Sequence, residues 1–363
     1  LLNFRRGLLL ALIERGYSIA ALVPSGEGVA ELEQMGVIVR PIELSPRGIS
    51  PVSDLRLFWS YWRLLGELKP AAFLGFTAKP NIYGSIAAHR RGIPVIANIT
   101  GLGTGFLSGR ILETVLSRLY RTALEHAQRV FFHNSDDRDL FLSRRLVDPR
   151  NCQVIPGSGV NLSHFGVEPP TGNADPHFLF IGRFLKDKGI VEFVEAAQTV
   201  KQDQQGARFT ALGTVEPHPK SIGSDTLEKW KREQLVEFLG SADDVRPFIA
   251  QADCVVLPSY REGLPRALLE ASAMARAVIG SDVPGCRDVV EEGTGYLCAP
   301  RSASSLAGAM IKFADLSPDR RVAMGLAGRR KAEREFDEQR VIDAYVSALE
   351  HILPNPRGSG GVS

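Results

Sequence analysis

Two rhythms of hydrophobic and polar positions alternate along the chain. Short apolar runs rich in Val, Ile, Leu and Phe read as buried strands, and longer segments with apolar residues every third or fourth position read as amphipathic helices. In the first half, YSIAALVPS (17–25), VIVRPIEL (37–44), AAFLGFT (71–77), PVIANITG (94–101), RVFFHNS (129–135) and CQVIPGSGV (152–160) predict strands. VAELEQMG (29–36), LRLFWSYWRLLGELKP (55–70), PNIYGSIAAHRRG (80–92), LSGRILETVLSRLYRTALEHA (107–127) and DDRDLFLSR (136–144) predict the helices between them. Pro80 suits a helix start and Gly92 a helix end.

A Pro/Gly/Asn-rich break, GVEPPTGNADP (166–176), interrupts the pattern, and a second cycle follows it. Strands are expected at HFLFIGR (177–183), ARFTALGTV (207–215), VEFLG (236–240), DCVVLPS (253–259), AVIGSDV (277–283) and GYLCAP (295–300). Helices are expected at KGIVEFVEAAQTVKQ (188–202), TLEKWKREQLV (226–236), DVRPFIAQA (244–252), LPRALLEASAMA (264–275), 303–314, 318–333 and 338–353. Alternating strands and helices imply an α/β fold with mostly parallel sheets. The expected organisation is an N-terminal Rossmann-like domain over 1–165, a linker over 166–175, a second Rossmann-like domain over 176–335, a last helix over 336–353 and a tail over 354–363. Two such halves imply a cleft between them. A doubly wound domain opens with a strand, whereas this chain opens in the helix-like LLNFRRGLLLALIERG without an initiator Met. The first strand and its turn are therefore expected to be missing from the numbered chain.

Composition narrows this picture. The apolar fraction of 44% and charged fraction of 23% are those of a soluble globular chain. LLLALI is too short to span a bilayer and runs directly into Glu14 and Arg15, which argues against a signal peptide. Four cysteines form no CxxC unit, so reduced thiols in a cytosolic setting are expected rather than disulfides or zinc. The seven histidines are scattered, and neither a GxSxG elbow nor a Walker A lysine occurs. Metal is not indicated. Net charge is +2, yet residues 1–165 carry 19 Lys and Arg against 13 Asp and Glu, while the remainder carries 24 against 28. A basic first half suits an anionic partner. Neither zinc-finger spacing nor a recognition helix speaks for nucleic acid.

Chemistry concentrates in the second half. In DCVVLPSYREGLPRALLEASAMA a strand ends at Pro258, a loop runs to Gly263, and a helix is expected near Leu264 with Pro265 in its first turn. The free N–H groups and dipole of that helix favour an anion. Glu262 lies on the loop and Glu270 about two turns into the expected helix, so the two glutamates contact different parts of one elongated ligand, or solvent. Upstream, IGRFLKDKGIVEFVEAA places Arg183 and Lys188 on either side of a strand-to-helix turn that ends in Gly189. Arg offers a bidentate fork for phosphate and Lys a mobile charge. Lys186 reads as a solvent cation. SDVPGCRDVVEEGTGYLCAP supplies tight turns at Gly285, Gly293 and Gly295. NITGLGTGFLSG and PGSGVNLSHF are glycine-rich loops of the first half that lack dinucleotide-binding spacing.

These blocks together resemble the retaining glycosyltransferases of the GT4 family. The resemblance is carried by Glu262 and Glu270 in E-x7-E spacing, GRFLKDKG upstream and PGCRDVVEEGTGYL downstream, over roughly 176–300. NFRRG, TAKPNIYGSIAA, NITGLGTGF and IPGSGVN extend it to bacterial enzymes that build O-antigen, capsule or protein glycans on polyprenyl-diphosphate carriers. The resemblance implies a GT-B fold, two Rossmann-like domains facing across a cleft, with the final helix returning to the first domain.

It also implies a nucleotide-sugar donor, most often UDP-linked, and no further cofactor or metal. Arg183 and Lys188 would bind the diphosphate with help from the N–H groups of Gly263 and Leu264. Glu270 would accept from the ribose, Glu262 would face the sugar or phosphate, and Phe238 and Leu239 would neighbour the base. The family often carries a His after an N-domain strand where this chain reads NITG, leaving Thr100, Gly101 or backbone groups beside the sugar. Thr294 stands where Asn is common. The implied partner is a lipid-linked glycan acceptor. With Arg110, Arg118 and Arg121 on one side of the 107–127 helix, an anionic membrane surface is also expected, and a peripheral cytoplasmic location with it. A nucleotide-sugar 2-epimerase of the same fold and a non-catalytic nucleotide- or carbohydrate-binding module are the competing expectations.

Overall fold

The computed structural model of the chain describes residues 2–26, 28–44, 50–102 and 110–353. They form two compact units. One comprises residues up to Ser158 together with the segment from Glu338, and the other Gly159–Asp337.

The first unit opens with α1 (Leu2–Glu14), followed by β1 (Ala20–Val23), α2 (Val29–Gln34), β2 (Ile38–Pro41), α3 (Pro51–Leu68), β3 (Phe73–Phe76), a π-helical turn at Pro80–Gly84, α4 (Ser85–His89) and β4 (Val95–Ile99). It continues through α5 (Arg110–Leu124), β5 (Arg129–Phe132), α6 (Ser135–Ser143) and β6 (Cys152–Val154). The segment 80–92, expected as one helix, is thus a π turn leading into a short α-helix. Asn81 sits in that π turn, and its side chain donates to the Asn98 carbonyl at 2.7 Å, so a side-chain bond to β4 accompanies the wider turn. The loop 103–109, with most of the GLGTGF glycines, lies outside the described residues, as does the tail from Pro354.

All strand pairings in this unit are parallel, β1 with β2 and then β3-β4-β5-β6. β4 is buried along its whole length, as a parallel strand covered on both faces must be. Among the described residues no strand pairs with both β1 and β3. The helix Glu338–Ile352 packs on α1 through Leu8, Leu12, Val341, Tyr345 and Leu349. Tyr345 is wholly buried, its ring 4.7 Å from that of Phe131, and its hydroxyl accepts from Asn98 Nδ2 at 2.5 Å. A buried phenol stays in such a core because its polar tip has a partner.

The second unit runs β7 (His177–Ile181), α7 (Ile190–Asp203), β8 (Arg208–Leu212), α8 (Ser224–Glu233), β9 (Glu237–Gly240), α9 (Arg246–Gln251) and β10 (Cys254–Leu257). It ends with α10 (Arg266–Ala273), β11 (Ala277–Ser281), α11 (Cys286–Val289), β12 (Gly295–Cys298), α12 (Ala303–Ala314) and α13 (Pro318–Lys331). The chain then returns to the first unit with the helix at Glu338–Ile352, α14. The six strands form one parallel sheet in the order β12-β11-β10-β7-β8-β9. The earliest strand, β7, lies in the middle: the chain moves outward on one side through β8 and β9, then returns to β7's other edge with β10. This is the doubly wound order, with its topological switch point between β7 and β10.

The apolar runs explain the sheet. Phe178, Leu179 and Phe180 of β7 and Cys254, Val255 and Val256 of β10 have no solvent exposure. At about 1.5–3 kcal/mol per large apolar side chain buried, these two strands anchor the unit, and their loops start from a rigid edge. Ile190, Phe193, Val194, Ala197 and Val200 form the buried face of α7, spaced at helical intervals.

Candidate functional site

The carboxyl ends of β7 and β10 release adjacent loops at the switch point, the general ligand position in open α/β sheets. β7 and β10 pair Phe180 with Val256, so Gly182–Gly189 and Pro258–Pro265 leave the sheet side by side. The first loop contains a 3-10 turn at Lys186–Lys188 and ends in Gly189 at φ +78°. A Cβ at Gly189 would lie 2.2 Å from the Pro258 carbonyl oxygen. Glycine is required there twice over, for its positive φ and for the backbone packed against it. The Tyr260 N–H also donates to the Asp187 carbonyl at 2.9 Å.

This closeness brings charged groups together. Lys188 Nζ lies 2.5 Å from Glu262 Oε1, with side chains 25% and 12% exposed. The pair joins the two loops and is substantially shielded from water. Lys220 pairs with Asp187 at 3.2 Å. Arg183 is exposed, with Nη1 3.4 Å from Glu216 Oε2. Lys186 is exposed. A third loop closes behind Glu262: Gly285 has φ +83°, and a Cβ on it would meet the Gly263 carbonyl oxygen at 2.6 Å.

The helix after Glu262 starts two residues later than its sequence suggests. Pro265 is the N-cap with extended φ and ψ, and Arg266 is the first helical residue. Pro265 fixes φ and lacks an N–H, so it serves at this boundary as well as inside a first turn. Glu270 consequently lies one turn into α10, not two. It is buried and is held by Arg266, whose Nη2 is 2.6 Å from Glu270 Oε1. Burial pushes the Glu270 carboxyl above its ordinary value, and Arg266 pulls it partly back. Glu262 and Glu270 each have their own cation, so they form no shared acid/base pair.

Phe238 and Leu239 lie on β9 and pack partly buried against the core. The Phe238 ring is 5.6 Å from Phe184 and stacks on Trp230 at 6.2 Å. β9 is the sheet's edge strand, two strands from β7. Thr100 and Gly101 belong to the first unit, where they follow the buried end of β4, Gly101 at φ +133°.

Several residues escaped the sequence reading. Tyr260 donates its hydroxyl to Glu192 Oε1 at 2.5 Å, and Arg301 stacks 4.7 Å over its ring. Glu192 is buried on α7 although it lies off that helix's apolar stripe, so periodicity could not mark it. In the first unit, His133 follows β5 and is buried, with Nε2 unpartnered. Burial and the neighbouring Arg5 lower its pKa to about 3, which favours the neutral imidazole.

Among the described residues no cluster of three His, Cys, Asp or Glu side chains could hold a metal ion. A cavity of about 550 Å³ lies beside Asp253, Arg276 and Arg321. It opens near the amino end of β10, away from the charged loops, and the guanidiniums of Arg276 and Arg321 donate to backbone carbonyls. The arginines there brace the fold instead of offering an anion site.

Both units match known sequence families. Residues 4–157 match the glycosyl transferase 4-like domain, and residues 175–315 match glycosyl transferases group 1. The chain is 26% identical to the N,N'-diacetylbacillosaminyl-diphospho-undecaprenol alpha-1,3-N-acetylgalactosaminyltransferase of Campylobacter jejuni, covering 97% of this chain and 96% of that protein. It is 26% identical to the UDP-Gal:alpha-D-GlcNAc-diphosphoundecaprenol alpha-1,3-galactosyltransferase of Escherichia coli, covering 74% and 73%. The fold is similar to that of Anabaena Alr3699/HepE, solved in complex with UDP and glucose, with a TM-score of 0.75, 17% identity and 95% of each chain covered. It also resembles a glycosyltransferase from Rickettsia africae, with a TM-score of 0.74, 17% identity, and 98% and 97% covered. The chain is a glycosyltransferase with two Rossmann-like domains, as in the GT-B architecture, and is related to bacterial polysaccharide and glycan transferases. Both family matches are to glycosyl transferases, so the activity they carry is the transfer of a glycosyl group to an acceptor.

Proposed function

We propose that the chain is a GT4-type retaining transferase that moves a hexosyl or N-acetylhexosaminyl group from a UDP-linked donor to a hydroxyl of a polyprenyl-diphosphate-linked glycan. The observation that carries this reading is the Lys188–Glu262 pair, 2.5 Å apart where the loops of β7 and β10 diverge. A cation at a switch point is suited to a diphosphate, and a carboxylate beside it is suited to sugar hydroxyls. Both relatives named above act on diphospho-undecaprenol-linked sugars and form alpha-1,3 linkages, which supports the choice of acceptor.

In this reading Arg183 and Lys188 bind the diphosphate and stabilise the charge that grows on it as the glycosidic bond breaks. Gly263 and Leu264 add N–H donors ahead of α10. Glu270 accepts from the ribose, Phe238 and Leu239 neighbour the base, and Glu262 faces the transferred sugar. The leaving phosphate oxygen takes the acceptor proton on the same face, so no protein base is needed. Thr100 and Gly101 belong to the acceptor-binding domain and line its sugar side. Arg118 and Arg121 are exposed on α5; with Arg110, whose side chain lies outside the described residues, they give this domain a basic surface for a membrane-borne acceptor at the cytoplasmic leaflet.

Incubation with a panel of UDP-sugars, with and without a lipid-linked diphosphate sugar, tests the proposal. Acceptor-dependent UDP release with an alpha-linked product, unaffected by EDTA, is the expected result. Sugar isomerisation without acceptor would instead identify an epimerase, and UDP-sugar binding without turnover a binding module.

A further inference from the structure

α3 has two apolar faces, and only one of them meets the core. Leu57, Tyr61, Leu64 and Leu65 are buried. Val52, Leu55 and Trp59 are 63%, 58% and 56% exposed. At 3.6 residues per turn these three and the half-buried Trp62 fall within about 80° of the helix circumference, roughly opposite the buried set. A helix of a soluble domain normally turns charged or polar residues outward on that side. Here three large apolar side chains, one of them Trp, are aligned there.

Cations surround this ridge. Arg56, Arg63, Lys69, Arg90 and Arg91 are all exposed. Arg91 lies 4.1 Å over the Trp62 ring and Arg90 lies 5.6 Å over Phe58, on the flank of the ridge. The acidic residues of α3 offset little of this charge. Asp54 is buried and paired with Lys79 at 2.9 Å, and Glu67 meets Arg63 at 3.7 Å. Trp side chains between apolar groups and arginines are suited to the boundary between acyl chains and headgroups.

We infer that the outer face of α3 seats on an anionic lipid surface, with Val52, Leu55 and Trp59 entering the headgroup boundary and the flanking arginines meeting lipid phosphates. A second copy of this chain fits less well, because a symmetric pairing through this face would bring two arginine-flanked ridges of like charge together. The contact lies on a different helix from the α5 arginines considered above.

Vesicle flotation tests the inference, and because it needs no turnover its outcome is separate from that of the transfer assay. The full chain is mixed with phosphatidylcholine vesicles, or with phosphatidylcholine containing phosphatidylglycerol. Binding to the anionic vesicles, weakened by high salt, is expected. L55E/W59E and R56E/R63E should each reduce partitioning roughly tenfold or more with an unchanged melting temperature. Quenching by brominated lipid of the native tryptophan fluorescence, weakened in W59F and lost in W59F/W62F, reads the same contact if a double variant fails to fold. Three results would overturn the inference: no anionic-vesicle binding by the wild type, equal binding by folded variants, or a wild-type dimer that L55E/W59E dissociates.

Discussion

Lys188 Nζ and Glu262 Oε1 approach to 2.5 Å, joining the loop that follows β7 to the loop that follows β10. Each side chain therefore has two roles, holding the loops together and presenting a charge at the sheet edge. Removing the lysine leaves a poorly exposed carboxylate without its cation. Lys188→Ala should lower kcat/KM for the donor by about 10²–10³-fold, the magnitude of one lost transition-state donor, and also weaken UDP binding. Glu262→Gln should keep UDP affinity closer to wild type while reducing turnover. Calorimetric UDP titration beside steady-state kinetics separates the two. Equal UDP affinity in Lys188→Ala and wild type would remove Lys188 from the diphosphate site.

Glu270 should make nucleotide binding and stability depend on pH in opposite directions. Its carboxyl is raised by burial, so the folded state binds the proton more readily than the unfolded chain. Stability from this group falls as pH rises through the interval between the ordinary glutamate value and the raised one, and the penalty is absent below that interval. A ribose contact needs the carboxylate, so UDP affinity should fall as pH drops through the same interval. Glu270→Gln should lose both slopes and bind UDP about tenfold more weakly at neutral pH, as expected for a lost hydrogen bond to a charged group. Denaturation midpoints and UDP titrations across pH for both proteins give the comparison. Parallel pH profiles would place Glu270 away from the nucleotide.

Arg183 differs from Lys188 in being exposed, with Glu216 as its 3.4 Å partner. An exposed pair of this kind contributes little to stability. Arg183→Ala should therefore leave the melting temperature unchanged while reducing kcat by about 10²-fold or more. Glu216→Gln frees the guanidinium and should raise UDP-sugar affinity a few-fold. A loss of affinity in Glu216→Gln would mean that Glu216 positions Arg183 and does not compete with the diphosphate.

The parallel sheets were legible because buried strands such as FLF in β7 and VVL in β10 are continuous apolar runs between glycine- and proline-rich turns. The loop residues Arg183, Lys188 and Glu262 could be named because they stand just after such runs. Their pairing could not, since it depends on strand order. Only the return of β10 to the free edge of β7 makes residues 74 positions apart neighbours. Tyr260 and Glu192 were missed for the same reason, as their hydrogen bond crosses from loop to helix. The start of α10 was misplaced because Pro265 is compatible with both an N-cap and a first turn, and the choice rests on φ and ψ that the sequence does not carry.

Gly189 makes the close approach of the two loops testable without touching a charge. Its φ of +78° costs a residue with a Cβ about 1–2 kcal/mol. A Cβ would also sit 2.2 Å from the Pro258 carbonyl oxygen, which is backbone at the end of a buried strand and cannot yield as a flexible side chain can. Gly189→Ala should therefore lower stability by more than the dihedral term alone, and should push the 183–189 loop away from Glu262. UDP affinity is expected to fall with the melting temperature, although every charged residue is retained. Gly293→Ala is the control: it carries the same dihedral penalty at φ +87° but has nothing within 4 Å of its Cβ. It should lose stability by the dihedral amount and keep its nucleotide affinity. If both variants bound UDP as tightly as wild type, contact between the β7 and β10 loops would not be what forms the donor site.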